Sequence, residues 1–458
     1  MSEEETTPLY RFFRSMLNFS GAAGSPRANP VETRKMMRIL TALMLMISLL
    51  LPGAGQGVHA QVALPPVQLP DAARTLPSLP DIGIEPLVTV GDTLARVRLD
   101  RITSLLRENR TRVEPDRNGQ PALRGVLIAT GVDDAMIARA AEKGFALLDR
   151  ERIESLAIDI VRFSVPEGRG IARAQKQLAK LLPDAEVDVD HIYFASGPGG
   201  ALPGAALATA AVSGNTSLGL IDGGVAAHPS VAGRVEQRGF AAGAPAASRH
   251  GTAVASLLVG NGPVRGSASG QRLLAADVYG TDPAGGNASA IARALGWLAG
   301  RGVAVTTISL VGPDNKLLAT AVSRAQQRGM LIVAAVGNDG PAAPPAYPAS
   351  YKGVFAVTGV DARDRALSEA GRALDVDFAA PGDAVLAATG PGETGRLRGT
   401  SFAAPLVAGR LALRYPAPAI DRIGPAVAAL VMEARDLGKK GRDKIYGHGL
   451  ICGTCGRR

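Results

Sequence analysis

The octet Arg398-Gly399-Thr400-Ser401-Phe402-Ala403-Ala404-Pro405 opens a small, apolar run that continues to Leu413. We expect a helix to begin at this glycine turn, and the first N–H groups of a helix have no partner within it. A serine held beside such free donors is suited to nucleophilic attack, because the oxyanion that forms needs hydrogen bonds already in place. Taken alone, the octet also fits a serine or threonine that only caps the helix.

Three upstream stretches each carry a further polar residue next to apolar or small residues. They are Ser217–Val225 with Asp222, Arg249–Ser256 with His250, and Leu331–Gly340 with Asn338. Asp, His, Asn and Ser in this chain order resemble the subtilisin-like serine proteases, the subtilases, a family in which this order is well known. The resemblance runs from about residue 217 to residue 451.

The resemblance implies a catalytic role for each of the four residues. His250 is expected to take the proton of Ser401, and Asp222 to accept from the other ring nitrogen and fix its tautomer. Asn338 is expected to donate its side-chain amide to the oxyanion beside the Ser401 N–H. Read singly, the same residues also fit a packed histidine, a turn aspartate and a turn asparagine.

Two positions depart from the family pattern. Gly223 stands where the family commonly has serine or threonine, which predicts looser support for the neighbouring carboxylate. Val311 replaces one glycine of the family's Ser-Leu-Gly-Gly strand. His228 resembles a family feature just after the aspartate motif, and we interpret it as structural rather than as a rival base.

The resemblance also implies two walls that bind an extended peptide by main-chain pairing. Ser309, Leu310 and Gly312 belong to one wall, and Tyr279–Asp282 with Gly280 is expected on the opposite edge. Ala346 is expected near the bottom of the first specificity pocket, where it leaves an apolar hole of modest depth.

Residues 1–60 have the features of a leader. Basic residues at 34–38 precede an apolar core at 39–51, and Val58-His59-Ala60 has the small-x-small pattern of a cleavage site. This combination predicts a secretory signal peptide, and the core is short for a membrane span. A retained anchor is the alternative, and the long polar lead fits either a later start at Met36 or Met37 or an unusually long leader.

Residues 61–122 are predicted to hold a linker and a helix. The part from Gln61 to Pro86 is proline-rich and predicts an exposed, extended chain. Asp92 to Arg110 reads as a helix capped by Asp92, with one apolar face. The residues assigned to that face are Leu94, Val97, Ile102 and Leu105.

Residues 123–196 alternate between strand and helix patterns in the order βαββαβ, the split βαβ pattern. The predicted elements are 125–129, 133–143, 145–148, 158–165, 171–182 and 186–194. This α+β, ferredoxin-like domain looks like the inhibitory propeptide of many subtilases, and Val189-Asp-His-Ile192 resembles its closing strand. The match implies a scissile bond near Ser196-Gly197, with Tyr193 in the fourth subsite and Ser196 in the small first pocket. A permanent accessory domain is the alternative.

Residues 197–458 are predicted to form the catalytic domain, after a flexible junction at 197–214. Near-continuous apolar strands alternate with helices, which predicts an α/β fold with a parallel sheet covered by helices on both faces. The loop 258–266 is short and holds one amide and no carboxylate. A calcium site needs six to eight oxygen ligands, so we expect no metal here and no cofactor.

The formal net charge is +9, but the charge is not clustered, so no nucleic-acid partner is expected. Residues 197–458 hold 26 Lys/Arg against 17 Asp/Glu, whereas residues 61–196 hold 18 against 20. A mildly acidic segment before a basic one fits two docking surfaces or, equally, two solvated ones. Cys452 and Cys455 fit a short disulfide, half a metal site or a redox pair, and a disulfide in an oxidising compartment is favoured.

The sequence therefore predicts a secreted or periplasmic serine endopeptidase, made as a self-processed precursor. Its expected partners are protein or peptide substrates and its own propeptide, with no permanent membrane span. A sedolisin-type acid protease is one alternative, but it would use glutamate as the base, against His250. A catalytically silent peptide-binding module on the same fold is the other.

Overall fold

The computed structural model describes residues 87–196, residue 202 and residues 218–456. These residues belong to one compact unit, Asp81–Arg458. The predicted leader with its apolar core at 39–51, the proline-rich linker, and the junction after Ser196 (residue 202 apart) lie outside the described residues.

Eight helices and sixteen strands form within the described ranges. The helices are α1 (Leu87–Glu108), α2 (Asp134–Ala141), α3 (Ile171–Leu181), α4 (Arg249–Val259), α5 (Ala288–Gly300), α6 (Lys316–Gln327), α7 (Thr400–Ala412) and α8 (Ile423–Glu433). The strands up to the first long loop are β1 (Val113–Pro115), β2 (Pro121–Thr130), β3 (Leu147–Ile153), β4 (Ile158–Ser164), β5 (Glu186–His191) and β6 (Phe194–Ala195). The later strands are β7 (Leu218–Asp222), β8 (Val235–Gly239), β9 (Leu273–Asp277), β10 (Val305–Ile308), β11 (Leu310–Val311), β12 (Leu331–Ala335), β13 (Val354–Val360), β14 (Phe378–Pro381), β15 (Val385–Gly390) and β16 (Glu393–Leu397).

The larger sheet has seven strands in the order β14-β13-β12-β10-β7-β9-β8. Every neighbouring pair is parallel. Such a sheet needs cover on both faces, because its strands are apolar on both sides. Helices α4 and α7 cover one face, and α5 and α6 cover the other. The predicted α/β fold with a doubly covered parallel sheet is confirmed.

Strand β12 shows how the two cores share one strand. Leu331, Val333 and Ala335 face the cluster with α4 and α7, whereas Ile332 and Ala334 face the cluster with α5 and α6. Successive side chains of a strand point to opposite faces, so an uninterrupted apolar run serves two cores at once.

Side-chain caps start three of the covering helices. Ser248, Asn287 and Asn315 each accept a hydrogen bond from a backbone N–H in the first turn of α4, α5 and α6. Serine and asparagine are favoured at this position because they satisfy donors that the helix leaves free. These caps fix where each helix begins relative to the strand before it.

The smaller sheet is antiparallel, with strands in the order β3-β4-β2-β5 and with β1 also paired to β2. Along the chain, β2-α2-β3-β4-α3-β5 is the predicted βαββαβ order. One face packs on α2 and α3. The other face places Ile153, Ile158 and Ile160 in the cluster with α5 and α6, so the smaller sheet stacks on the helices of the larger domain.

Several predicted boundaries were wrong; strand β2, for example, begins at Pro121 rather than Gly125. Helix α1 begins at Leu87, so Asp92 lies inside it and does not cap it. Strand β3 runs from Leu147 to Ile153, and Phe145 lies before it, fully buried in the cluster with α2 and α3. The closing strand β5 ends at His191, and residues 194–195 form the separate strand β6.

The apolar face predicted for α1 was wrong at Val97, which is 59% exposed. At the other end of the unit, Cys452 and Cys455 are joined as a disulfide, with 5.3 Å between their Cα atoms. None of the helices in residues 87–196 and 218–456 has the length and hydropathy that crossing a bilayer requires.

Candidate active site

Asp222 is the last residue of β7, an interior strand of the larger sheet, and its side chain is fully buried. Its Oδ1 accepts the N–H of Gly223 at 2.7 Å. Parallel sheets bind ligands at the carboxyl ends of their strands, so this is where a reactive group is expected.

His250 lies in the first turn of α4 and points its ring at the end of β7. Its Nδ1 is 2.9 Å from Oδ1 and 2.8 Å from Oδ2 of Asp222. The carboxylate holds the proton on Nδ1 and leaves Nε2 with a free lone pair. Nε2 is buried and has no hydrogen-bond partner among the described residues.

Ser401 is the second residue of α7 and is fully buried. The helix follows Gly399, whose φ of +143° lies in a region that favours glycine. The Oγ of Ser401 has no hydrogen-bond partner within residues 87–196, 202 and 218–456. The ring of Phe402, the next residue, lies 5.5 Å from the ring of His250, centroid to centroid, so the first turns of α4 and α7 lie next to each other.

The side chain of Asn338 reaches the start of α7 from the loop after β12. Its Oδ1 accepts the Thr400 N–H at 3.0 Å, which leaves the Nδ2 group to donate elsewhere. A Cβ built on Gly399 would lie 2.9 Å from this Nδ2. The amide therefore stands directly over the glycine that precedes Thr400 and Ser401.

Packing explains why residue 223 is a glycine, which the sequence pattern did not reveal. A Cβ at this position would lie 2.6 Å from the Cβ of Ser248 and 2.7 Å from its Oγ. Ser248 is the cap of α4, and its Oγ accepts the N–H of Gly251. The missing side chain at 223 thus lets the start of α4, with His250, approach the end of β7.

Residues Tyr193–Ser196, here called the cleft strand, run as an extended peptide toward Ser401. Ala195 pairs with Leu310 and Phe194 with Val311 in the antiparallel β6–β11 ladder. The Ser196 N–H donates to the carbonyl oxygen of Ser309 at 3.0 Å. The predicted wall at 309–312 therefore does pair with an extended peptide, as main-chain recognition requires.

The side chain of Tyr193 is fully buried in a pocket at the far end of this wall. Its ring lies against Gly312, where a Cβ would meet the ring at 2.5 Å. Its hydroxyl donates to the carbonyl oxygen of Pro313 at 2.7 Å. The pocket has room for this ring only because residue 312 has no side chain.

The carbonyl end of the cleft strand lies over the start of α7. The Ser196 carbonyl oxygen is 3.6 Å from a Cβ built on Gly399, a point also close to Asn338 Nδ2. Val311 Cγ1 and the Cβ of Ala346 lie 3.1 and 3.9 Å from a Cβ built on Gly337. The side chains at 311 and 346 therefore pack beside the same glycine, and the role of Ala346 in a first specificity pocket stays a prediction.

The opposite wall differs from the prediction. Gly280 packs against the 242–244 loop, where a Cβ would meet the Ala242 oxygen at 2.2 Å. The edge is formed by Gly286 instead, whose carbonyl oxygen accepts the Tyr193 N–H at 2.9 Å. Both glycines have positive φ in one loop, and sequence alone did not distinguish them.

Tyr279, in the stretch 279–282 where this edge was expected, also contributes to the wall, whereas Asp277 was missed. The Tyr279 hydroxyl donates to the Tyr193 carbonyl oxygen at 3.0 Å. Asp277 lies beside Asp222 in register and accepts the N–H groups of Ala246, Tyr279 and Gly280. Burial raises the pKa of the Asp277 carboxyl, although these N–H groups favour its charged form. The sequence signal that could have identified Asp277 was its position at the carboxyl end of a buried strand.

His228 and the loop 258–266 lie near the site without joining it. His228 Nδ1 accepts the Ser230 N–H at 3.1 Å and so caps the short 3₁₀ turn Pro229–Val231. The loop is tied to the same turn, because the Asn261 N–H donates to the Ser230 carbonyl oxygen. Within the described ranges, no three His, Cys, Asp or Glu side chains cluster as metal ligands would.

Comparison with known proteins agrees with this geometry. The model of the subtilase family matches residues 213–449. The chain is 36% identical to Subtilisin BL of Lederbergia lenta over 204 residues, which cover 43% of this chain and 74% of that protein. It is 31% identical to the minor extracellular protease Epr of Bacillus subtilis, over 52% of this chain and 38% of Epr.

A solved structure extends the likeness of fold. Fervidolysin from Fervidobacterium pennivorans, a keratinolytic enzyme related to subtilisin, superposes with a TM-score of 0.57 and 19% identity. The match covers 73% of this chain and 61% of that one. With a family match over more than half of its length, the chain belongs to the subtilase family.

Proposed function

We propose that the protein is a secreted endopeptidase that cleaves peptide bonds with Ser401, His250 and Asp222 as its triad. The observation that carries the proposal is the cleft strand, an extended peptide that pairs with both walls and whose Ser196 carbonyl oxygen lies over the start of α7. A protein that merely bound peptides would have no need for an imidazole oriented by a buried carboxylate.

The proposed reaction begins with attack of Ser401 Oγ on the carbonyl carbon of the scissile bond. His250 Nε2 takes the hydroxyl proton and later gives it to the leaving amine. Asp222 stabilises the imidazolium that forms between these steps. Asn338 Nδ2 and the Ser401 N–H donate to the oxyanion, and water then hydrolyses the acyl-enzyme through the same base.

Residues 123–196 are proposed to act as the inhibitory propeptide of this enzyme. The support is that their sheet stacks on α5 and α6 and their last residues occupy the cleft. The first cut is proposed between Ser196 and Gly197, with Tyr193 in the fourth subsite. The cleaved part then remains bound as a product until it dissociates or is degraded. The residue ranges 1–60, 61–122, 123–196 and 197–458 are proposed as leader, linker with helix, propeptide and catalytic domain.

Secretion and independence from cofactors complete the proposal. The leader pattern at residues 34–60 supports export, and the composition of the loop 258–266 supports a catalytic domain without calcium there. Expected partners are protein or peptide substrates and the protein's own propeptide.

Mass spectrometry of the full chain, with and without Ser401→Ala, tests the proposal. The unchanged chain should lose its leader, be cut after Ser196 and react with a serine-directed fluorophosphonate. The Ser401→Ala chain should lose the leader only. Fully active material that begins near Gln61 would refute a removable propeptide, and labelling that persists in Ser401→Ala would refute the nucleophile.

A further inference from the structure

Helix α1 lies before the propeptide-like domain in the chain and contacts the cleft directly. One stripe of the helix, at the spacing of three and four residues that places side chains on a common face, makes these contacts. Its members are Leu94, Arg98, Arg101 and Leu105. Two of the four are arginines, so this is not the apolar face that periodicity predicted.

The arginines pair with the residue next to Asn338. Arg101 Nη2 donates to Oδ1 of Asp339 at 3.0 Å and to Oδ2 at 3.2 Å, and Arg98 Nε lies 3.4 Å from Oδ2. The side chains of Arg98 and Asp339 are each only 19% exposed. Ion pairs shielded in this way are weakened less by salt than pairs in full contact with water.

The same helix covers the cleft strand. The Arg101 guanidinium lies 4.5 Å from the centroid of the Phe194 ring, within range of a cation–π interaction. Leu94 packs on Gly340, where a Cβ would lie 2.9 Å from its Cδ1. Helix α1 therefore holds the strand from above while binding the wall beside it.

The segment also reaches the opposite wall. Arg112 Nη2 donates to Asp282 Oδ2 at 2.5 Å. Leu105 packs in a small cluster that contains Ile192 and Ala284, the latter in the same loop as Asp282. Asp339 and Asp282 thus form an acidic rim, one carboxylate on each side of the cleft, and each pairs with an arginine of residues 98–112.

We propose that α1 is a second inhibitory element of the precursor, which bridges the acidic rim over the cleft strand and delays release of the N-terminal part after the cut. This inference rests on the proposed function. It assigns latency to a helix outside the βαββαβ domain. Because α1 precedes Ser196 in the chain, a cut after Ser196 leaves α1 attached to the departing part.

The position of α1 before the cut provides an internal control for the test. Substitutions in α1 leave the sequence of the mature enzyme unchanged, so any kinetic difference comes from the bound N-terminal part. The full-length precursor is followed by mass spectrometry for the cut after Ser196 and by peptide hydrolysis for the appearance of activity. Arg98→Ala/Arg101→Ala is compared with Arg96→Ala, which removes an exposed arginine from the same helix.

The double variant should be cut on the same schedule as the parent, but its activity should appear roughly tenfold sooner, the order expected for a lost ion-pair network and one cation–π contact. Arg96→Ala should behave like the parent. Arg101→Lys should fall between them, because lysine keeps the charge but loses the planar guanidinium that lies over the Phe194 ring. Added salt should shorten the lag of the parent more than that of the double variant.

An unchanged lag in the double variant would overturn the inference. So would a double variant that is never cut while Arg96→Ala is, because α1 would then serve folding rather than latency. Failure of the proposed function looks different, since the parent chain itself would show neither the cut nor any hydrolysis.

Discussion

Ser401 and His250, here called the reactive centre, differ in hydrogen bonding from the main chain of the cleft strand, although Ser196 Oγ of that strand is also buried without a partner among the described residues. In the described chain, Ser401 Oγ and His250 Nε2 are buried without hydrogen-bond partners. The main-chain groups of Tyr193 and the Ser196 N–H are paired with the two walls. An unpaired buried polar group costs about 1–3 kcal/mol. Under the proposed function, the paired main-chain groups serve binding and the unpaired atoms of Ser401 and His250 serve the chemistry.

The largest expected effect tests the centre. Ser401→Ala and His250→Ala should each slow the cut after Ser196 by a factor on the order of 10⁴ or more, and the double variant should lose little more, as in subtilisin, because triad members act as a unit. The measurement is the rate of that cut by mass spectrometry. Substantial cutting of the Ser401→Ala chain after Ser196 would show that the chemistry does not depend on Ser401. The division between a reactive centre and binding walls would then be wrong.

Asn338→Ala should have the next largest effect. Loss of one oxyanion donor costs roughly 100- to 1,000-fold in rate, a magnitude established for subtilisin. Asn338→Asp is the matched variant, since its carboxylate still accepts the Thr400 N–H but its oxygens replace the Nδ2 donor. Equal losses in both variants assign the effect to the donor. Near-normal turnover in Asn338→Asp would assign it to the Thr400 contact instead.

A substitution in the wall at 309–312 should change substrate preference more than the rate of hydrolysis. Val311→Gly removes the side chain that packs beside Gly337 and Ala346, where the first specificity pocket is expected, while the backbone can still pair with a peptide. The ratio of kcat/KM for peptides with leucine rather than alanine before the cut should rise about tenfold, the scale at which pockets discriminate by methylene groups. Val311→Ala should give a smaller rise. An unchanged ratio would remove residue 311 from the pocket.

The smallest expected effect concerns calcium. Because the loop 258–266 is tied to Ser230 by backbone hydrogen bonds and offers no carboxylate, a chelator should leave the melting temperature in place. The check is a thermal melt with and without EDTA. A large fall, with the lost ion located at residues 258–266, would contradict the loop argument.

The central positions could be predicted from sequence because each sits in a short motif at the end of a strand or the start of a helix. Asp222, His250, Asn338 and Ser401 depend on local turns and caps that their neighbours specify. Their meeting point then follows from the parallel sheet, whose strands end along one edge. For that reason the fold was accessible from the chain alone, whereas the roles of the four residues come from the family resemblance and stay a prediction.

The contacts of α1 and of the 279–286 loop were not accessible in this way. Hydrophobic periodicity assigned Val97 to a buried face, because it does not register that Arg98 and Arg101 find Asp339 across the cleft. The net charges of the two regions also gave a poor guide to how they contact each other. Arginines of the mildly acidic N-terminal part pair with acidic residues of the basic domain. Arg293 with Glu151 is paired in the expected direction. Individual ion pairs therefore set the contact between the two regions, and the summed charge of each region does not reveal them.

The close approach of Gly223 and Ser248 has an evolutionary consequence. A side chain at 223 and the present serine at 248 exclude each other sterically, so the two positions should change together or not at all. A relative with serine or threonine at the first position must carry a repositioned helix start or a glycine at the second. In a mutant library of this chain, variants with a single replacement at 223 should be lost under selection. The variants that remain should carry changes at both 223 and 248.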